Sequence, residues 1–178
     1  MKQLYFYPGR FQPMGPHHAE VFKTIMSKHG IENSYVVTSD KTDPTLSDGV
    51  PKSPFNFEEK KAIIHKHGIP EDRIIQVKNP YHATEILLDY GPSEVEAIYF
   101  VGEKDMKDNP RFGTGKTSGI TKEGYKWGIE VAPHVKKDID GEEMSGTTTR
   151  KSLQKGNEET FAYIMGWFDQ SIYNTVDK

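Results

Sequence analysis

Short apolar runs alternate with amphipathic stretches along this chain. Leu4 to Tyr7 is apolar and predicts a buried first strand. Ala19 to Lys28 follows, with Ala19, Val21, Phe22, Ile25 and Met26 at helical spacing, and predicts the first helix. His29-Gly30 suits its end, because glycine tolerates the left-handed stop and histidine complements the helix dipole. Ser34 to Thr38 reads as a second strand, and Arg73 to Val77 as a third. Between them Asn56 caps a helix that has Glu58 and Glu59 in its first turn, turns Ala62, Ile63 and Ile64 inward, and ends at Gly68. A further helix is expected from about Tyr81 to Asp89. Glu96 to Val101 is the fourth strand and Trp127 to Ala132 the fifth. Met144 to Arg150 opens a helix that runs through about Lys155. Asn157 caps another over Phe161, Ile164, Met165 and Trp167, and a last turn or helix holds Ile172, Tyr173 and Val176.

Two stretches break the alternation. Ser39 to Pro54 holds three prolines and two lysines in polar company and reads as a long loop. Glu103 to Tyr125 loses the pattern in a lysine- and glycine-rich segment. Strands alternating with helices predict an α/β fold: a parallel sheet of about five strands, helices on both faces, and extra C-terminal helices. No repeat or linker divides the chain, so residues 1–178 are expected to form a single domain.

Composition narrows the function classes. A net charge of −3 gives no general case for nucleic-acid binding. The chain has no cysteine, which excludes disulfides and thiolate metal sites and fits a reducing compartment. No run approaches the roughly 20 apolar residues of a membrane span. A soluble, cytoplasmic protein with no membrane partner is the expectation.

The chemistry gathers in two places. Tyr7-Pro8-Gly9-Arg10-Phe11-Gln12-Pro13-Met14-Gly15-Pro16-His17-His18 lies between the first strand and the first helix, where α/β sheets place their ligands. Its two imidazoles stand at a helix start, where backbone N–H groups and the dipole favour an anion. Late in the chain, Ser145-Gly146-Thr147-Thr148-Thr149-Arg150 is a serine-capped helix start, and Arg150 offers a planar fork suited to phosphate oxygens about one turn on.

Together the two stretches resemble the nucleotidylyltransferase (cytidylyltransferase-like) superfamily, which has a Gly-Arg-Phe-Gln-Pro-x-(His/Thr)-x-Gly-His turn and a Ser-(Gly/Ser)-Thr-x-x-Arg helix start. Pro54-Phe55-Asn56-Phe57-Glu58-Glu59-Lys60-Lys61 is similar to a stretch of its nicotinamide mononucleotide adenylyltransferase branch. The resemblance implies a Rossmann-like fold and a transfer of a nucleoside monophosphate, AMP from ATP first and CTP next, onto a phosphorylated acceptor such as nicotinamide mononucleotide. Pyrophosphate leaves, and Mg²⁺ bridges the triphosphate without a dedicated protein site. It implies catalytic roles for His18 and Arg150 on the triphosphate, with His17 beside them. Ser145, Gly146 and Thr147 would hold the β- and γ-phosphates, while Tyr7, Gly9, Arg10, Phe11, Gln12 and Gly15 would line the nucleotide seam. Gly102 and Asp105, after the fourth strand, are placed to meet the nucleotide, although a solvated turn accounts for them equally well. Asp40, Lys41, Lys52 and Asn79 lie beside the expected acceptor site, where ordinary loop charges and a helix start are the plainer reading.

The turn departs from the family pattern. Gly15-Pro16-His17-His18 stands where the family has (His/Thr)-x-Gly-His, so the first position has lost its side chain and the third has gained an imidazole. That departure motivates an alternative, a nucleotide-binding module without catalysis. Arg150 is expected to be a ligand contact rather than core. Gly113 to Thr117 lacks the first glycine of a phosphate-binding loop, since position 110 is proline, and reads as a flexible basic loop. His65 and His67 are expected to be exposed, with no metal spacing. The C-terminal aromatics read as core or as the interface of a homo-oligomer.

Overall fold

The computed structural model describes residues 2–47, 50–78, 80, 83–101, 124–132, 138–139, 142–143, 149–150, 152–153 and 156–176. Contacts divide the chain into two compact units that it visits in turn. The first comprises Met1–Gly9, Val21–Ser39 and Asp72–His134; the second comprises Arg10–Glu20, Asp40–Glu71 and Val135–Lys178.

The first unit holds a five-stranded parallel sheet. Its strands are β1 (Lys2–Pro8), β2 (Ser34–Thr38), β5 (Ile74–Gln76), β6 (Val95–Val101) and β7 (Lys126–Val131), in the order β5-β2-β1-β6-β7. This is the parallel α/β sheet that the alternating pattern predicts and the Rossmann-like fold that the resemblance implies. The order reverses beside β1, the position at which open α/β sheets bind ligands. Leu4, Phe6, Val37, Ala97 and Tyr99 are buried in its core. The Tyr99 hydroxyl is satisfied there by accepting the Ala83 N–H at 2.9 Å.

Helix α1 (Pro16–His29) starts three positions earlier than its apolar spacing suggests, because Pro16 takes the first helical position, where a missing N–H costs nothing. Gly30, with φ 94°, donates to the Met26 carbonyl and closes it as expected. Helix α3 is described over Thr84–Leu87, shorter than its predicted span and ending before Asp89.

In the second unit the supposed loop from Ser39 to Pro54 contains an antiparallel hairpin, β3 (Asp43–Ser47) with β4 (Val50–Ser53). Pro44 and Pro51 obscured it. A two-stranded ribbon has an open edge on each strand, so prolines there need not remove a ladder bond. A second short hairpin, β8 (Asp138–Ile139) with β9 (Glu142–Glu143), also escaped the sequence pattern. Helix α2 (Phe57–Lys66) starts with a capping box: Asn56 accepts the Glu59 N–H at 2.9 Å while Glu59 accepts the Asn56 N–H at 3.1 Å.

Its buried face differs from the predicted one. Ala62 is exposed, and Lys60 joins Phe57, Ile63 and Ile64 inside. Helices α4 (Glu158–Met165), capped by Asn157, and α5 (Gln170–Val176) pack around Phe55, Ile63, Leu153, Phe161 and Ile164. Trp167, Phe168 and Tyr173 meet the Phe161 ring edge-on at 5.2, 5.8 and 5.8 Å; Phe161 is core, with Trp167 and Tyr173 packed against it, while Phe168 and Tyr163 are exposed.

Candidate active site

Arg10 to Gly15 leaves β1 and turns into α1, and three basic side chains hold its carbonyls. Lys60 Nζ donates to the Arg10 oxygen at 3.2 Å, Arg150 Nη1 to the Gln12 oxygen at 2.7 Å, and His67 Nε2 to the Met14 oxygen at 2.7 Å. Alternate carbonyls, at positions 10, 12 and 14, are therefore satisfied from two separate stretches of chain, α2 with its C-cap His67 and the helical segment at Arg150. The Gln12 amide adds a paired lock, donating to the Phe55 carbonyl and accepting the Phe55 N–H, both at 2.8 Å. These bonds hold Phe11 at φ 47°, a left-handed conformation that a bulky residue adopts only when its surroundings impose it. The Gln12–Pro13 peptide is cis.

Gly15 is the N-cap of α1, its carbonyl accepting the Ala19 N–H at 3.1 Å. His18, at the third helical position, reaches back so that Nδ1 accepts the Gly15 N–H at 3.2 Å, in the manner of a capping-box glutamate. An accepting Nδ1 assigns the neutral ring's proton to Nε2, which becomes a donor. Burial, followed by the nearby His17 and His67, holds His18 down to about 3, so the ring is neutral at physiological pH. The His17 ring lies against it, with centroids 3.8 Å apart, and Phe11 meets it edge-on at 5.9 Å.

Positive charge is crowded around the turn. Burial pushes the Lys60 ammonium down to about 8, Asp40 partly restores it, and Arg10 lowers it further. Arg150 is buried too, and its pKa is lowered by burial and then by Arg10. Arg10 itself is exposed and is steadied by a 2.8 Å bond to the Ser53 hydroxyl. Asp40 is partly committed, since its Oδ1 accepts the Phe57 N–H at the start of α2 at 2.8 Å. Arginine, lysine and a neutral imidazole donor suit phosphate oxygens.

Eight of the predicted site residues thus fall in one unit: Arg10, Phe11, Gln12, Gly15, His17, His18, Asp40 and Arg150. Tyr7 and Gly9 belong to the sheet unit, where Tyr7 stacks on Phe22 and Gly9 donates to the Val37 carbonyl at 3.3 Å. Lys41 is exposed, and Lys52 lies on β4. Asn79, Gly102, Asp105, Ser145, Gly146 and Thr147 lie outside the described residues. Two expectations are corrected. Arg150, expected to lie outside the core, is buried and bonded to the turn, and His67 is buried rather than exposed, with Trp167 Nε1 donating to its Nδ1 at 2.9 Å.

Sequence reasoning passed over Lys60, His67 and Ser53. Lys60 and His67 had a usable signal. Each stands three positions from a buried member of the α2 apolar face, Lys60 from Phe57 and Ile63, His67 from Ile64. Ser53, on the hairpin, had none.

No protein-family model matches the sequence, and neither does any curated relative. Solved structures do match in shape. Plasmodium falciparum nicotinic acid mononucleotide adenylyltransferase in complex with NaAD superposes with a TM-score of 0.55 at 16% identity, over 99% of this chain and 95% of that one. The fold is shared. The same Plasmodium enzyme in complex with APC gives 0.53 at 15% identity, over 99% and 94% of the two chains. A Vibrio parahaemolyticus chain gives 0.55 at 13% identity, with both chains covered in full (100%).

Proposed function

We propose that this protein is a nucleotidylyltransferase of the adenylyltransferase kind. It would act as one catalytic domain in the cytoplasm and transfer AMP from ATP to a phosphorylated acceptor, with a pyridine mononucleotide the preferred one. The observation that carries the reading is the turn itself: its alternate carbonyls are bonded by Lys60, Arg150 and His67, and it gathers cationic groups and a neutral His18 donor at a helix start. The motif resemblance and the shared fold support the same chemistry.

An oxygen of the acceptor phosphate attacks the α-phosphorus of the triphosphate. The new P–O bond forms as the bond to the α,β-bridging oxygen breaks, and pyrophosphate departs with that electron pair. The attacking group is already an anion, so no protein base is required, and orientation with charge stabilisation carries the rate. His18 donates from Nε2 to a phosphoryl oxygen. Arg10 and Arg150 supply positive charge against the departing pyrophosphate, joined by Ser145, Gly146 and Thr147. The motif resemblance assigns the acceptor to Asp40, Lys41, Lys52 and Asn79. Among the described residues the charged side chains at the turn are mainly basic and Asp40 is partly engaged by α2, so Mg²⁺ would arrive with the triphosphate rather than on a dedicated protein site. It supplies neutralisation of the charge that builds on the leaving group.

Pyrophosphate release tests the reading, with ATP, CTP, GTP and UTP each paired with nicotinamide mononucleotide, nicotinic acid mononucleotide and other phosphorylated acceptors in the presence of Mg²⁺. Release with ATP and a pyridine mononucleotide is expected. Tight ATP binding without release under every pairing would identify a binding module in which Gly15 and His17 mark the loss of catalysis. Neither binding nor release would overturn both.

A further inference from the structure

The peptide group joining Met14 to Gly15 is hydrogen-bonded at both ends. Its carbonyl oxygen accepts from His67 Nε2 at 2.7 Å, and its N–H donates to His18 Nδ1 at 3.2 Å. Behind His67 stands Trp167, whose indole Nε1 donates to His67 Nδ1 at 2.9 Å.

The direction of every bond follows from the groups. An indole N–H only donates, so His67 Nδ1 accepts and the ring is neutral with its proton on Nε2. That proton goes to the Met14 carbonyl, which only accepts. The amide N–H of the same peptide only donates, so His18 Nδ1 accepts and its proton is on Nε2 as well. The bonds run head to tail: Trp167 to His67, His67 to the Met14–Gly15 peptide, and the peptide to His18. Chains of this kind polarise one another, and a bond accepted at an amide oxygen strengthens donation from its nitrogen. His67 is buried, Met14 is fully buried, and the edge-on contact of His67 with Trp167, centroids 5.3 Å apart, fixes the ring plane.

We propose that His67 and Trp167 are positioning residues that hold His18 as the Nε2–H donor towards phosphate. They act through the Met14–Gly15 peptide and touch no substrate. The phosphate end of this inference rests on the nucleotidylyltransferase reading; the relay does not. His18 has no carboxylate among its described partners to set its tautomer, so the peptide performs that task. The peptide is in turn held from α2 and from Trp167, beyond the end of α4.

Imidazole ¹⁵N chemical shifts of His18, read beside calorimetric ATP affinity, test the relay. Wild type is expected to show His18 as the Nε2–H tautomer. His67→Phe removes both of the ring's bonds and is expected to shift His18 towards a tautomer mixture. It should weaken ATP binding by about three- to tenfold, the equivalent of one net hydrogen bond. His67→Gln can donate from Nε2 and accept at Oε1, and should restore both readouts; a merely space-filling histidine would show no such preference for Gln over Phe. Trp167→Phe keeps an aromatic ring without the donor, and should move the His18 shifts in the same direction by less. It reads the relay if His67→Phe does not fold. Unchanged His18 shifts in a folded His67→Phe or Trp167→Phe protein, or a folded His67→Gln protein that behaves like Phe, would overturn the proposal. If wild type binds no ATP, the functional reading fails, while the tautomer shifts still decide the relay.

Discussion

Arg150 Nη1 donates to the Gln12 carbonyl at 2.7 Å, joining residues 138 positions apart in the chain. The guanidinium that the sequence offers to a triphosphate therefore also holds the turn on which the triphosphate is proposed to sit. Its two roles are separable by experiment. Arg150→Ala leaves the Gln12 oxygen without this charged donor and is expected to cost about 1.5–3 kcal/mol of stability. Arg150→Lys keeps a charge but loses the planar fork, and should retain more stability than triphosphate affinity. Urea unfolding beside ATP calorimetry checks this; equal stability of Ala variant and wild type would remove the structural role.

Gln12 is the second anchor. Gln12→Ala deprives a buried Phe55 of partners for both its N–H and its carbonyl, each costing about 1–3 kcal/mol when left unsatisfied. A loss of about 2–4 kcal/mol in chemical denaturation is expected. Gln12→Glu keeps the acceptor for the Phe55 N–H but sets a carboxylate oxygen against the carbonyl, so it should not rescue.

His18 sets a pH dependence. Its folded pKa of about 3 lies below the ordinary value of 6.5, so the unfolded chain binds the proton more readily. Stability from this group is complete above pH 6.5 and is lost as pH falls from there towards 3. Denaturation of wild type and His18→Gln across that range should show the wild type losing more. NMR titration should find the His18 ring still neutral at pH values where free imidazole has charged. Parallel stability curves would contradict the neutral state.

Asn56 is remote from the proposed chemistry and still supports it, since α2 carries Lys60 inward and His67 follows its last turn. Asn56→Ala removes the side-chain half of the capping box and is expected to cost about 1 kcal/mol, while Asn56→Asp should retain most of it. Hydrogen exchange at the Phe57 to Lys60 amides would locate the loss. Unaltered exchange would assign the cap no role.

How much of this could be read beforehand follows physical lines. The parallel sheet was legible because its strands are short apolar runs between helical periods, a pattern of near neighbours. So were the Asn56 and Asn157 caps and the Gly30 and Gly68 stops, which depend on a few adjacent residues. The β3–β4 hairpin was hidden by prolines that only an edge strand tolerates. Lys60 was passed over because a lysine on an apolar face looks like a misfit until its carbonyl partner is known. Ala62 was placed inside on composition, and the helix turned it out.

The sequence by itself determined the strands of the parallel sheet and the helices between them, their order, the turn after β1 and the residue types gathered there. Periodicity, caps and turn residues act over a few positions, so they are written in the chain. Only the tertiary structure decided which basic side chain meets which carbonyl: Lys60 on Arg10, Arg150 on Gln12, His67 on Met14. Those bonds span 50, 138 and 53 positions, and a charged or imidazole group is buried at each because a distant backbone oxygen offsets its desolvation. No local pattern encodes such a pairing.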